Sequence, residues 1–291
     1  MTEEAGRTRF HYGFYAAMKV EFDLIHADVK YEQEIQLGED PVRLDFLIIK
    51  KDARVILTDP IGAFFRAVNF FEYKSPEDGL SIDDFYKALG YSFIYKGYNR
   101  KVDELPIEEM TLTLVRHSYP RELMKALKVS GFTVDEQYLG IYHVHGRISV
   151  KVQLVVSSRL PQGEYEGLKL LASGCTKDAV IHYAQKAVAS EDENVKTNAE
   201  TVIGICLDIN KNLGVQLEED EAMNDVISKI VKRNIDAARQ KGRQEGLNDA
   251  NERVASDMLR NGEPLEKVKM YSCLAEDAIR SLAKTLGVVV L

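Results

Sequence analysis

Glu72-Tyr73-Lys74 places a carboxylate and an ammonium two residues apart inside an apolar run, residues 68–74 (VNFFEYK). In an extended strand alternate side chains share a face, so Glu72 and Lys74 point the same way. Their neighbours Val68, Phe70, Phe71 and Tyr73 make a plain solvated charge pair the weaker reading. A second strand-like run, residues 43–50 (RLDFLIIK), carries Asp45 near its start. An Asp on one strand and Glu-x-Lys on the next are what metal-assisted phosphodiester cleavage asks of a protein. Carboxylates hold a hard Mg²⁺ through oxygen, with Mn²⁺ able to substitute. The ion polarises phosphate and lowers the pKa of a water. A fixed lysine donor meets the charge that develops in the transition state. Glu-x-Lys alone is common by chance in an acidic chain. The context adds specificity: both acids lie in apolar β-like runs, the strands are consecutive, and a capped helix follows.

The elements that must position these groups can be read around them. Phe10, Phe14, Met18, Glu21 and Ile25 recur every three or four residues, which predicts an amphipathic helix over 9–25. Glu21 falls on its apolar stripe, and a half-buried carboxylate needs a partner. Two readings stand: a salt bridge to a base at the core edge, or an outer ligand leaning into the metal site. Residues 31–37 and 42–50 read as strands joined by a turn at Gly38-Glu39-Asp40-Pro41. Asp59-Pro60 predicts a helix cap and a short helix through Arg66. Ser81 and Asp84 are spaced as a capping box, opening a helix with Ile82, Phe85, Leu89 and Phe93 as its apolar stripe. Lys87 and Tyr91 lie one turn apart on another face; they reach a phosphate or site carboxylate, or are simply a surface lysine beside a half-buried tyrosine. A strand at 110–117, a proline-initiated helix at 119–129 and a hairpin of 139–144 with 148–156, turning at Gly146-Arg147, follow. His143 and His145 share a face of that hairpin, more plausibly as an ordinary edge pair than as metal ligands. Helix, three strands, helix, strand, helix, hairpin predicts an α/β fold: a mixed sheet flanked by helices.

Beyond residue 160 strand signals fade. Helical stretches at 168–171, 177–189, 200–210 and 220–235 predict a helical extension over 161–235, with a charged loop at 191–194. A small helical tail occupies 236–291, with helical periodicity over 252–260, a sharp break at Asn261-Gly262-Glu263-Pro264 and short helices at 265–271 and 275–286. Lys and Arg recur from Lys229 to Lys269, so the tail reads either as an oligomerising helical hairpin or as a DNA-contacting helix-turn-helix module. The first 160 residues are the core that carries the candidate site.

A net charge of −8 argues against a surface that coats nucleic acid by bulk electrostatics, but not against a local basic site around a cation-filled acidic pocket. Three widely spaced cysteines, with no CxxC, are expected as reduced thiols of a cytoplasmic protein. No apolar run approaches the ~20 residues of a membrane span. Phosphate-binding glycine loops, serine elbows and HExxH are not found.

The run Pro41-x-Arg43-x-Asp45, then Phe71-Glu-Tyr-Lys-Ser-Pro-Glu-Asp78 and Leu80-Ser-Ile-Asp-Asp-Phe-Tyr-Lys-Ala-Leu-Gly-Tyr91, resembles the PD-(D/E)XK nuclease superfamily. Within it the chain is most similar to the bacterial recombination-promoting nuclease or transposase-like group, over roughly residues 10–155 and more loosely in the tail. The resemblance implies a restriction-endonuclease-like core and a Mg²⁺-dependent endonuclease acting on DNA in recombination or transposition of mobile elements. It implies Asp45 and Glu72 as metal ligands, Lys74 as the catalytic lysine and Glu21 as the first-helix acid. Lys87-x-x-x-Tyr91 sits where some members carry Gln-x-x-x-Tyr, and the first acid follows Leu44 rather than proline. The alternative is a nuclease-fold DNA-binding or assembly protein with little cleavage. A homo-oligomer formed through the helical regions is expected in either case.

Overall fold

A computed structural model describes residues 3–25, 27–37, 42–52, 54–97, 101–218, 243 and 246–288, without the side chains of residues 3–8, 34–37 and 42–46. The turn expected at 38–41 and the helix expected at 220–235 lie outside the described residues. The chain divides into two compact units, Met1–Lys232 and Arg233–Leu291.

The first unit is built on one seven-stranded mixed sheet of order β1-β2-β3-β4-β7-β6-β5. After helix α1 (Glu3–Leu24), strands β1 (Val29–Leu37), β2 (Val42–Lys51) and β3 (Val68–Lys74) form an antiparallel meander. Helix α2 (Ile82–Gly97) then carries the chain back so that β4 (Met110–Arg116) lies parallel to β3, from Val68↔Met110 to Lys74↔Arg116. Helix α3 (Arg121–Val129) leads to β5 (Thr133–Tyr138), β6 (Ile141–His145) and β7 (Lys151–Val156), and β7 pairs parallel with β4. Strand β5 does not register in the sequence because TVDEQY is an exposed edge strand, polar at most positions. The predicted hairpin is the β6–β7 pair, to which β5 adds on the outside.

The alternation of β3 divides the molecule into two faces. On one, Phe70, Leu112, Leu114 and Leu154 meet Phe85, Ala88 and Leu89 of α2 and Leu123 and Leu127 of α3. The buried stripe of α2 runs through Ala88, Ser92 and Tyr95 and leaves Phe93 exposed, so the expected stripe is rotated at its C-terminal end. On the other face Phe71 and Tyr73 pack on Phe14 of α1, the Tyr73 ring stacked 4.8 Å from that of Phe14. Helix α1 is buried at every position from Phe14 to Met18 because helices close over its far side. Those are α4 (Glu166–Leu170) and α6 (Glu193–Ile209), with α5 (Lys177–Val188) and α7 (Lys211–Glu218) packed behind them. Gly13 allows the close approach, since a Cβ there would stand 2.7 Å from Leu171 Cδ2 and 2.8 Å from Ile205 Cδ1. Helix α6 starts at Glu193, capped by Asp192, where a charged loop was expected. The charges belong to the cap and first turn of a helix whose later face is apolar.

Asp59 accepts from Gly62 N at 2.7 Å and starts only a single 3-10 turn, Gly62–Phe64. The expected α-helix through Arg66 is therefore a short turn laid across the sheet. The second unit contains helical residues 246–260 (α8), then α9 (Leu265–Ser272) and α10 (Glu276–Leu286). They share a small core of Ala255, Leu259, Val268, Ile279 and Ala283. The break at Asn261–Pro264 falls where the sequence places it. Among the described residues no helix is long and apolar enough to cross a membrane.

Phe14 joins α1 to β3 in a fully buried contact. Phe14→Ala is expected to lower unfolding free energy by about 3–5 kcal/mol, the usual cost of emptying a buried aromatic site, read as a fall in the urea midpoint at unchanged slope.

Candidate functional site

The C-terminal end of β3 and the first turn of α2 bring three charged side chains together on one face of the sheet. Lys74 is buried, with Nζ 3.1 Å from Glu72 Oε1 and 2.8 Å from Asp84 Oδ1. Glu72 reaches the same face because it lies two residues earlier on the strand. Asp84 arrives through the capping box: Ser81 N and Oγ donate to its Oδ2 at 2.8 and 2.6 Å, and Asp84 N donates to Ser81 Oγ at 3.2 Å. One carboxylate oxygen thus caps α2 while the other holds the lysine. The spacing of Ser81 and Asp84 signalled the cap; nothing local in the sequence signalled the lysine contact, which depends on α2 folding back over β3.

Electrostatics follow from burial. Burial opposes the Lys74 ammonium, but Glu72 and Asp84 outweigh it and hold its pKa above the ordinary 10.5. Lys74 is therefore a cationic donor at neutral pH. Burial raises the carboxyl of Glu72, with Lys74 and more weakly Lys87 pulling against the shift. Burial also works against the Asp84 charge, yet the hydrogen bonds from Lys74 and Ser81 bring that carboxyl below its ordinary 3.8. Lys87 thus contributes to the field at Glu72, and its Nζ lies 5.4 Å from the centre of the Tyr91 ring. Arg116 is the parallel-register neighbour of Lys74, and its buried Nε has no hydrogen-bond partner among the described residues. Nothing in the sequence around Arg116 marks it; its place next to Lys74 follows only from the pairing of β4 with β3.

Glu21 is not brought to this group. Helix α1 packs on Phe71 and Tyr73, whose side chains leave β3 on the face opposite to Glu72 and Lys74. The Glu21 carboxylate instead accepts from the Tyr165 backbone, in the field of Lys186, Asp59 and Glu166, and burial is the main cause of its raised pKa. Around it lie a Tyr165 hydroxyl donating to Asp59 Oδ1 at 2.6 Å and accepting from Ile61 N at 3.0 Å. Among the described residues Asp59 Oδ2, Glu166 Oε2 and Tyr183 OH are buried without hydrogen-bond partners, the pattern that internal water satisfies. The apolar stripe correctly marked Glu21 as buried; the sheet lies between it and Glu72.

Asp45 belongs to β2, two residues before Leu47, whose partner on β3 is Phe71. Its side chain lies outside the described residues. Carboxylate oxygens are the right kind of donor for a hard cation, and Glu72 is the described member of the expected pair. Among the described residues no three His, Cys, Asp or Glu side chains gather closely enough to hold a metal ion. Comparison of the chain with protein-family models, with curated proteins and with solved structures finds no match.

Two pH-dependent outcomes follow. A carboxylate with a lowered folded pKa contributes stability above its unfolded value and loses it as pH falls through the folded one. Asp84→Asn should therefore destabilise the protein by roughly 1–2 kcal/mol at pH 6–7, through the cap and the partly exposed ion pair, with the difference shrinking below about pH 4 in urea titrations. Glu21 has the opposite sign: a raised folded pKa favours the protonated form, so its favourable contribution is full below the ordinary 4.5 and is lost as pH rises through the folded value. Glu21→Gln keeps an acceptor for Tyr165 N and is expected to raise the urea midpoint at pH 7, with a smaller gain at pH 4.

Proposed function

We propose that this chain is a metal-dependent deoxyribonuclease that hydrolyses phosphodiester bonds in recombining or mobile DNA. The observation that carries the reading is the buried Lys74 ammonium held between Glu72 and Asp84 at the carboxyl end of β3. In α/β sheets the carboxyl ends of parallel strands are where ligands gather, and Arg116 of the neighbouring strand adds a second cation at the same end. A group so placed suits an anionic substrate whose charge grows in the transition state. The resemblance of residues 41–91 to PD-(D/E)XK nucleases supports the same assignment.

In this reading Glu72 would hold a Mg²⁺ ion, which when bound would supply Lewis-acid neutralisation of charge at the scissile phosphate. Asp45 would join it through the register shift of β2 between Leu44 and Leu47, which interrupts the alternation that otherwise assigns position 45 to the face of Leu47 and Phe71. Lys74 donates to a phosphate oxygen or to the attacking water. Asp84 is a positioning residue: it keeps the lysine extended toward Glu72 while its other oxygen is occupied by the helix cap. Lys87 and Arg116 raise the local positive potential that an overall acidic protein otherwise lacks.

Purified protein with Mg²⁺ or Mn²⁺ is expected to nick supercoiled plasmid, and Lys74→Ala to lower the nicking rate by about 10²-fold or more. Equal nicking by the two proteins would remove Lys74 from the site. One observation favours a second reading, a DNA-binding or assembly protein with little cleavage: Glu72 is already engaged by Lys74, and Lys74 by Asp84. Calorimetric titration separates the two, since the nuclease takes up Mg²⁺ in a manner abolished by Glu72→Ala, whereas a binding-only protein shows no such uptake.

A further inference from the structure

On the face of the sheet opposite to Lys74 and Glu72, the edge formed by β5, β6 and β7 carries a cleft of about 670 Å³. Its floor is made by Lys151 on β7 and by His143 and His145 on β6, with Tyr138 at the end of β5. Its wall is the single turn started by Asp59, which contributes Phe64, followed by Arg66. The register explains why these residues converge. His143 pairs with Gln153, two residues beyond Lys151, so their side chains share one face. Gln153 Nε2 in turn donates to the carbonyl of Ile61 at 3.2 Å and ties the turn down over the strands. The cleft is thus a built feature, anchored by a fully buried glutamine.

Its chemistry is cationic and aromatic. Arg66 spends one guanidinium nitrogen on the Phe65 carbonyl, at 2.9 Å. Among the described residues neither Arg66 nor Lys151 is paired with a carboxylate. Asp135 is the acid opposite His143 on β5, and its contact is with His145, at 3.7 Å. The Phe64 ring lies 4.5 Å from the ring of His143, an aromatic pair at the edge of the cleft. Two cations with no carboxylate partner among the described residues, beside flat rings and in a space suited to one small ligand, match a phosphate attached to an unstacked base. Single-stranded nucleic acid is recognised in this way, by backbone charge with base stacking. A duplex, whose bases are stacked inside, offers the cleft only its phosphates.

We propose that this cleft binds a nucleotide of single-stranded DNA, with Arg66 and Lys151 on the phosphate and Phe64, His143 and Tyr138 against the base. The site deepens the deoxyribonuclease reading and rests on it for the choice of DNA, while using none of the residues assigned to cleavage. A nuclease so equipped grips a frayed or displaced strand apart from the phosphodiester it cuts.

The test is fluorescence anisotropy of a labelled oligo-dT with the full chain in EDTA, so that binding is read without cleavage. Lys151 is exposed, so Lys151→Glu should fold normally, and its melting curve checks that it does. It is expected to weaken single-strand binding at least tenfold and duplex binding less, and Phe64→Ala to weaken single-strand binding at least fivefold while changing a matched duplex less than twofold. Lys151→Ala should flatten the dependence of log affinity on log salt by about 0.7, the value of one phosphate contact on a single strand. The proposal is overturned if wild type fails to bind oligo-dT in EDTA, if both variants bind within twofold of wild type, or if the duplex loses as much as the single strand. Lys74→Ala is measured alongside. Nicking lost with Lys74→Ala but untouched single-strand binding in the cleft variants sinks the cleft alone; the converse sinks the nuclease assignment alone.

Discussion

A lysine ammonium taken out of water must find charge or lose its proton. Lys74 keeps its proton because two carboxylates reach it, one from its own strand and one from the first turn of α2. Much of the local architecture follows from that requirement. Strand β3 must end where α2 begins, so the connection Ser75–Leu80 is short. Helix α2 must lie back over the face that carries Glu72, and its capping acid must have one oxygen to spare. The cap and the ion pair are therefore coupled through a single side chain, and a change at Asp84 disturbs both the helix start and the position of the candidate donor.

The period of two in β3 governs the rest. Phe71 and Tyr73 belong to the layer of α1, α4 and α6, while Phe70, Glu72 and Lys74 belong to the layer of α2 and α3. A helix cannot contribute to both. This separates Glu21 from Glu72 regardless of how well either suits a metal, and it gives α1 a different task. Around Glu21 the interior is unusually polar: Asn69, Thr111, Thr113 and Gln153 are fully buried in the adjoining sheet face and bonded to one another and to the turn above them. Such a network specifies how the segment between β2 and β3 is laid down, because each member left without its partner carries a desolvation cost. That same segment forms the wall of the cationic cleft, so the buried polar ladder and the proposed strand-binding site share one anchor in Gln153.

The cysteines make a parallel case. Cys175 and Cys206 are far apart in the chain, yet both approach Asn210, which accepts from the Cys175 backbone and donates to Cys206 Sγ. The Cys175 thiol donates to the Ala172 carbonyl at 3.2 Å. The setting of the two cysteines comes from α6 and α7 packing behind α1, and no spacing in the sequence announces it.

What the sequence by itself determined is local. The strands containing Asp45 and Glu72-x-Lys74, the capping box at Ser81 and Asp84, the break at Asn261–Pro264 and the mixed α/β class each rest on periodicity, caps or turn residues acting over a few positions, and the structure places them as read. What tertiary structure alone decided is non-local. It added the edge strand β5, whose polar residues carry no strand signal, and rotated the buried stripe of α2 away from Phe93. It set Glu21 on the far face of the sheet, gave Asp84 its second role and aligned Arg116 with Lys74. The physical reason is common to all of these: burial periodicity tells a residue that it faces something, but only strand pairing and helix packing decide what that something is.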